Sequence, residues 1–420
     1  MSEPWYAYLM YGVFQYSYYY PLFMAYVWGT GAMIYFLRWE WRSSRELPVL
    51  REYPPVSIIV PCLNEEGQIA ETVSHLMRQR YPDFEVIVVD DGSSDRTGAI
   101  LDGLVERFER LRVIHHAQNQ GKAMALRAGA LAARSDYLVT IDGDALLDEN
   151  AVTWMMRHLV DGSRVGAVTG NPRIRNRSTM LGKVQVGEFS AIVGIIKRAQ
   201  RVYGRVFTVS GVIAAFRKTA LHRVGYWTTD MVTDDIDVSW KLQMDHWEIR
   251  YEPNALCWIL MPETLRGLWR QRLRWAQGGA EVALRYARRL CSWRRRRMWI
   301  VFAEFVASTV WAYCFILIVL LWALGQLVIL SQPLQVESLI PEASGAILSL
   351  TTLLQFGIGL FIDHRYDRAA DARIYYWTIW YPMAYFLLAM LTTVVGLPRA
   401  IVKKRGQLAV WISPDRGVRS

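Results

Sequence analysis

The sequence predicts an α/β domain with a mostly parallel sheet, inserted into an α-helical membrane bundle. Three observations carry this expectation. Four stretches hold no Asp, Glu, Lys or Arg: Pro4–Leu37, Phe305–Val336, Ala343–Ile362 and Ile374–Pro398. Apolar β-branched runs alternate with helical stretches between Val56 and Ile141. Carboxylates stand directly after several of those runs.

The chain has 420 residues, 53% hydrophobic and only 20% charged, against about 25% charged in an ordinary soluble domain. All of its 48 basic and 38 acidic residues lie outside the four stretches. Each stretch reaches the roughly 20 apolar residues that cross hydrocarbon. Disorder, a purely soluble enzyme, a coiled coil and a nucleic-acid tail protein are excluded. The first stretch lacks a basic leading segment and carries seven tyrosines between residues 6 and 20. It reads as a retained anchor with Pro21 near a bend, not as a cleaved signal peptide. Cys62, Cys257, Cys291 and Cys314 form no CxxC pair, so no zinc or disulfide framework is expected.

Basic flanks orient the chain. Arg38, Arg42 and Arg45 follow the first stretch, and Arg294, Arg295, Arg296 and Arg297 precede the second. Such flanks stay in the cytoplasm, so the insert between them is expected to face the cytosol. Gln332–Glu342 reads as external, and Asp363–Arg373, with Arg365, Arg368 and Arg373, as internal. Four simple spans put the tail outside, yet it carries Lys403, Lys404 and Arg405. Either one stretch is re-entrant or the tail breaks the charge bias. The net charge of +10 reads as charge beside anionic lipid, with no nucleic-acid partner.

Inside the insert, Val56–Val60 is a strand buried on both faces. A helix over Gly67–Arg80, strand Phe84–Asp90, helix Asp95–Phe108, strand Leu111–His115, helix Gly121–Arg134 and strand Tyr137–Ile141 continue the alternation. In such sheets ligands bind beyond the carboxyl ends of the strands. Pro61, Asn64 and Glu65 stand there after the first strand, Asp90 and Asp91 after the second, and Asp142 and Asp144 after the last.

Each motif admits a chemical and a bland reading. Asp142-Gly143-Asp144 suits a hard divalent cation shared with substrate phosphates, or is a solvated turn. Asp91 can accept from a uracil imide, or caps the next helix. Lys122 opens a helix where phosphate can be held, or is a surface lysine. Thr233-Asp234-Asp235 opens a helix to Met244; it offers a general base, or an N-cap with acids on the dipole. Thr264–Leu290 is a basic amphipathic helix at the membrane interface. Within it, Gln271-Arg272-Leu273-Arg274-Trp275 can clamp a diphosphate and stack a sugar, or anchors the helix in headgroups.

In this order and spacing the motifs resemble the inverting family 2 glycosyltransferases with a GT-A fold, and among them the processive membrane synthases. That family's signature is Asp, DxD, a TED-like triplet and QxxRW, matched by Asp91, Asp142/Asp144, Thr233-Asp234-Asp235 and Gln271–Trp275. The middle of the triplet departs, with Asp234 in place of Glu, and the base falls on Asp235. Val165–Phe189, Val206–Arg217, Ala255–Val282 and Trp411–Gly417 resemble the members that make bacterial poly-N-acetylglucosamine.

The charge-free stretches together with the resemblance imply an anchor over 1–50, a GT-A domain over 51–262, an interfacial region over 263–298, membrane helices over 299–398 and a basic tail over 399–420. The resemblance implies polymerisation of UDP-N-acetylglucosamine into a β-1,6-linked biofilm polysaccharide, at a bacterial inner membrane. Pro61, Asn64, Glu65, Asp91, Lys122 and Asp142 then hold the nucleotide sugar, and Asp144 a Mg²⁺ or Mn²⁺ ion. Gln271, Arg274 and Trp275 hold the diphosphate and acceptor. A small membrane partner subunit, with cyclic di-GMP at that interface, is also implied. A hyaluronan- or chitin-type synthase shares the same catalytic motifs, and a nucleotide-sensing transporter is the alternative from another class.

Overall fold

The computed structural model describes residues 5–44, 46–339, 342–367, 381–404 and 406–409. Arg45, Arg368, Arg373, Arg405, the opening of Ile374–Pro398 and Trp411–Gly417 lie outside the described residues.

Helix α1 (Trp5–Tyr35) runs unbroken through Pro21 and loosens into a π-turn at Phe36–Glu40. The elements of the sheet domain follow as β1 (Val56–Cys62), α2 (Ile69–Leu76), β2 (Phe84–Asp90), α3 (Thr97–Val105), β3 (Leu111–His115), α4 (Lys122–Ala132) and β4 (Tyr137–Ile141). Next come β5 (Leu146–Leu147), α5 (Ala151–Asp161), β6 (Val165–Ile174), α6 (Met180–Glu188) and α7 (Ile195–Tyr203), the last two joined through a π-turn at Phe189–Gly194. The domain closes with β7 (Ile213–Arg217), α8 (Lys218–Arg223), α9 (Asp234–Met244) and β8 (Glu248–Ile259).

One eight-stranded sheet results, in the order β3-β2-β1-β4-β7-β6-β8-β5. Its first half is parallel, as the β-branched runs require: every residue of β1 is buried. Val56, Ile58, Val60 and Cys62 enter one core and Ile59 the other, so each face is covered by helices. The register pairs Cys62 with Asp90, which brings the turns after β1 and β2 to one edge. The second half reverses: β7 runs antiparallel to β4, with Ile141 opposite Ile213. The segment entering β7 therefore meets the carboxylates leaving β4.

Helix α10 (Leu265–Leu290) is capped by Thr264, whose Oγ1 accepts from Gly267 N–H at 3.0 Å. It is followed by α11 (Trp299–Gly325), α12 (Glu342–Asp363) and α13 (Tyr381–Val402). Three described segments are long and apolar enough to cross a membrane: Trp293–Gly325, Gly345–Asp363 and Ala384–Val402. Helix α1 packs against α11 and α12.

Buried ion pairs fasten this bundle to the sheet. Arg198 Nε donates to Glu40 Oε1 at 2.7 Å and Nη1 to Asp363 Oδ1 at 3.4 Å, while Arg173 Nη1 donates to Asp363 Oδ2 at 2.6 Å. The ends of α1 and α12 thus both lie at the sheet domain. So does the end of α13: Lys403 Nζ donates to Asp230 O at 2.7 Å and Glu281 Oε2 at 2.9 Å. Lys403 and Lys404 therefore sit on the side of the sheet domain, in accord with the charge bias, and not across the membrane from it.

Candidate active site

The strand ends are tied before any ligand arrives. Asp91 N–H donates to Cys62 O at 3.0 Å, and Asn64, held in the left-handed region at φ 54°, accepts from Ser94 N–H through Oδ1 at 2.8 Å. Asp91 is fully buried. Its carboxylate accepts from Gly121 N–H at 2.7 Å and Gln120 N–H at 3.1 Å, and bonds His116 Nδ1 at 2.7 Å. It brackets the turn that presents Lys122. His116 carries no sequence signal, since its link to Asp91 comes from strand pairing.

Lys122 heads α4, and its Nζ donates to Asp142 Oδ1 at 2.5 Å and Gly211 O at 3.5 Å. Burial disfavours its charge, but Asp142, then Asp234 and Asp235, outweigh this and push its pKa up. Gly143 packs tightly on the first turn: an added Cβ would lie 3.1 Å from Cys62 Cβ, 3.3 Å from Pro61 O and 3.4 Å from Glu65 Cγ. Pro61, Glu65, Asp142 and Asp144 thus share one corner. Asp142 is partly exposed and Asp144 buried, so the corner offers hard oxygen donors. Among the described residues no group of three His, Cys, Asp or Glu side chains is arranged to hold a metal ion by itself. The donors fit a divalent cation only if oxygens from a bound ligand complete its shell.

Asp234 and Asp235 occupy the first turn of α9. Asp235 Oδ1 accepts from Ile236 N–H at 2.9 Å. Burial first, then the charge of Asp234, raises its pKa to about 6, against the pull of Lys122 and Arg274. Thr233 is the N-cap residue but its hydroxyl caps nothing, because Gly278 of α10 packs directly onto it. That contact sets α10 against the start of α9.

On α10, Gln271 Oε1 accepts from Arg272 Nη1 at 3.2 Å, and Arg274 is exposed with its charge felt at Asp235. Arg272 lies over Trp275, 4.2 Å from the ring centroid, and pairs with Glu188 at 2.9 Å. One face of the Trp275 ring is therefore covered by a buried, paired guanidinium. The motif names Arg272 without a partner, and no sequence signal points to Glu188, whose pairing with it joins α10 to α6.

A sequence model described as "Glycosyltransferase like family 2" matches residues 54–278, more than half of the chain. The chain belongs to the family 2 glycosyltransferases. Poly-β-1,6-N-acetyl-D-glucosamine synthase of a Staphylococcus epidermidis strain is 39% identical over 413 residues, covering 96% of this chain and 98% of that protein. The protein of the same name from Staphylococcus aureus MSSA476 is 39% identical over 407 residues, at the same two coverages. Among solved structures, a Pyrobaculum calidifontis mannosyltransferase in complex with GDP-mannose and Mn²⁺ superimposes with a TM-score of 0.62 at 21% identity. That likeness covers 93% of this chain and 99% of the other. The insert of this glycosyltransferase accordingly has the GT-A fold.

Residues 406–409 of the glycosyltransferase also fold back over the site. Gly406 N–H donates to Asp230 Oδ2 at 2.9 Å and Ala409 N–H to Thr229 O at 3.0 Å. Ala409 O lies 2.7 Å from where a Cβ on Gly121 would stand. The strap thus reaches from the approach to α9 to the turn before Lys122.

Proposed function

We propose that this glycosyltransferase polymerises N-acetylglucosamine from UDP-N-acetylglucosamine into a β-1,6-linked biofilm polysaccharide. One observation carries the reading: Asp235 is a half-buried carboxylate with a pKa near 6, joined through Gly211 and Lys122 to the Asp142 corner. A base poised close to neutrality suits proton removal from a sugar hydroxyl. The substrate and linkage are carried over from the similar synthases, which span nearly the whole chain.

In this reading the uracil lies against Pro61, Asn64 and Glu65, over the turn that Asp91 brackets. Lys122 and Asp142 orient the donor. Asp144 would hold Mg²⁺ or Mn²⁺, which when bound offsets charge on the departing diphosphate. Asp235 takes the proton from the acceptor's 6-hydroxyl, and the oxygen attacks C1 opposite the leaving group, giving a β link from an α donor. Gln271 and Arg274 hold the diphosphate, and Trp275 stacks the acceptor's end sugar. Asp234 keeps the Asp235 pKa high.

The same reading assigns 1–50 to the anchor, 51–262 to the catalytic domain, 263–298 to the interface, 299–398 to the helices that pass the polymer across, and 399–420 to the tail. It places the protein in the bacterial cytoplasmic membrane with the catalytic domain in the cytosol, beside a small membrane subunit with cyclic di-GMP at their interface. Asp235→Asn in purified membranes tests the chemistry. Polymer is lost while UDP binding persists; near-normal synthesis removes Asp235 from the base role.

A further inference from the structure

Lys197 lies on α7, the helix whose Ala199 packs against Gly31 of α1 at the membrane side of the domain. Only 6% of it is exposed. Among the described residues its ammonium bonds no carboxylate: Nζ donates to Thr169 Oγ1 at 3.1 Å and to Ser210 Oγ. Thr169 Oγ1 also accepts from Ser210 N–H at 2.8 Å, so Lys197, Thr169 and Ser210 form a closed triangle. The next residue, Gly211, faces the site. A Cβ there would lie 3.2 Å from Asp235 Oδ2, and its carbonyl accepts from Lys122 at 3.5 Å.

We propose that Lys197 is a positioning residue for proton abstraction: it pins the Ser210–Gly211 turn, and that turn is the wall against which the Asp235 carboxylate rests. The inference deepens the reading of Asp235 as base and rests on it. Burial of an ammonium against neutral hydroxyls is expensive, and an apolar side chain of similar length packs at lower cost. Burial draws the Lys197 pKa down to about 7, while the charge of Asp235 pulls it up. The ammonium therefore senses Asp235 across the turn it holds. Antiparallel β7 makes this possible, because it delivers Ser210–Gly211 to the end of β4.

A residue kept for stability alone predicts that Lys197→Met leaves turnover intact. A positioning residue predicts a split between the two kinetic constants. In purified protein given UDP-N-acetylglucosamine and Mg²⁺, folded Lys197→Met should keep its donor KM within about twofold while kcat falls at least about tenfold. Ser210→Ala should lower kcat in the same direction, and the double variant should be no worse than Lys197→Met alone. Normal kcat in folded Lys197→Met, or a loss carried entirely by donor KM, overturns the inference. Should Lys197→Met not fold, unchanged kcat in Ser210→Ala overturns it equally. Asp235→Asn serves as the control. If that variant polymerises normally, the base reading falls; if it is inactive while folded Lys197→Met is fully active, only the Lys197 inference falls.

Discussion

An ionised Asp235 should weaken the fold it serves. Its folded pKa of about 6 stands above the ordinary carboxyl value of 3.8, so the folded protein holds this proton more tightly than the unfolded chain. Stability then falls as pH rises from near 4 to near 6, and the whole penalty is present above pH 6. A gap of roughly two pH units corresponds to about 3 kcal/mol. Asp235→Asn removes that penalty. Thermal unfolding in detergent should show the variant matching the parent near pH 4 and exceeding it by up to about 3 kcal/mol at pH 8. Parent activity should fall as pH drops through about 6, because only the carboxylate accepts the acceptor's proton. A variant less stable than the parent at pH 8, or a stability difference independent of pH, refutes this reasoning.

Other perturbations probe the remaining parts of the site. Trp275→Ala removes the ring that Arg272 covers. Product chains on a gel should shorten while UDP affinity stays within about twofold, whereas full-length product would remove Trp275 from the acceptor. Gly121→Ala forces a side chain at φ 93° into the carbonyl of Ala409. A cost of about 1–3 kcal/mol should appear as weaker UDP binding by titration, and unchanged binding would mean that the Lys122 turn is not part of the donor site. Asp363→Ala leaves Arg173 unpaired in a buried setting. Loss of about 3–5 kcal/mol should raise protease sensitivity between domain and helices, and parent-like resistance would show that the clasp does not hold them.

The parallel half of the sheet was legible because β1, β2 and β4 are short, largely apolar runs that a doubly covered sheet accommodates. The carboxylates after β1, β2 and β4 could be placed at one edge for the same reason. The sequence offers Thr233 as the cap of α9 and only a boundary at Thr264 for α10, yet it is Thr264 that caps with its side chain. What Thr233 does instead depends on Gly278, forty-five positions further on, and no local pattern carries that. Lys197 was invisible because an IIKRAQR stretch looks like a solvated helix face. Its burial follows from the antiparallel entry of β7 and the packing of α7 on α1. The same holds for Glu40, Arg198 and Asp363, whose pairing closes only when α1 and α12 both end at the domain. The tail's side was left open by charge and span counting, and the bond from Lys403 to Asp230 places it.

Incubation of the purified chain with labelled UDP-N-acetylglucosamine and Mg²⁺, followed by linkage analysis of whatever forms, reaches the core of the account. Release of UDP together with a polymer of β-1,6-linked N-acetylglucosamine is expected. Free sugar alone, no UDP release, or a polymer joined through a secondary hydroxyl would contradict it.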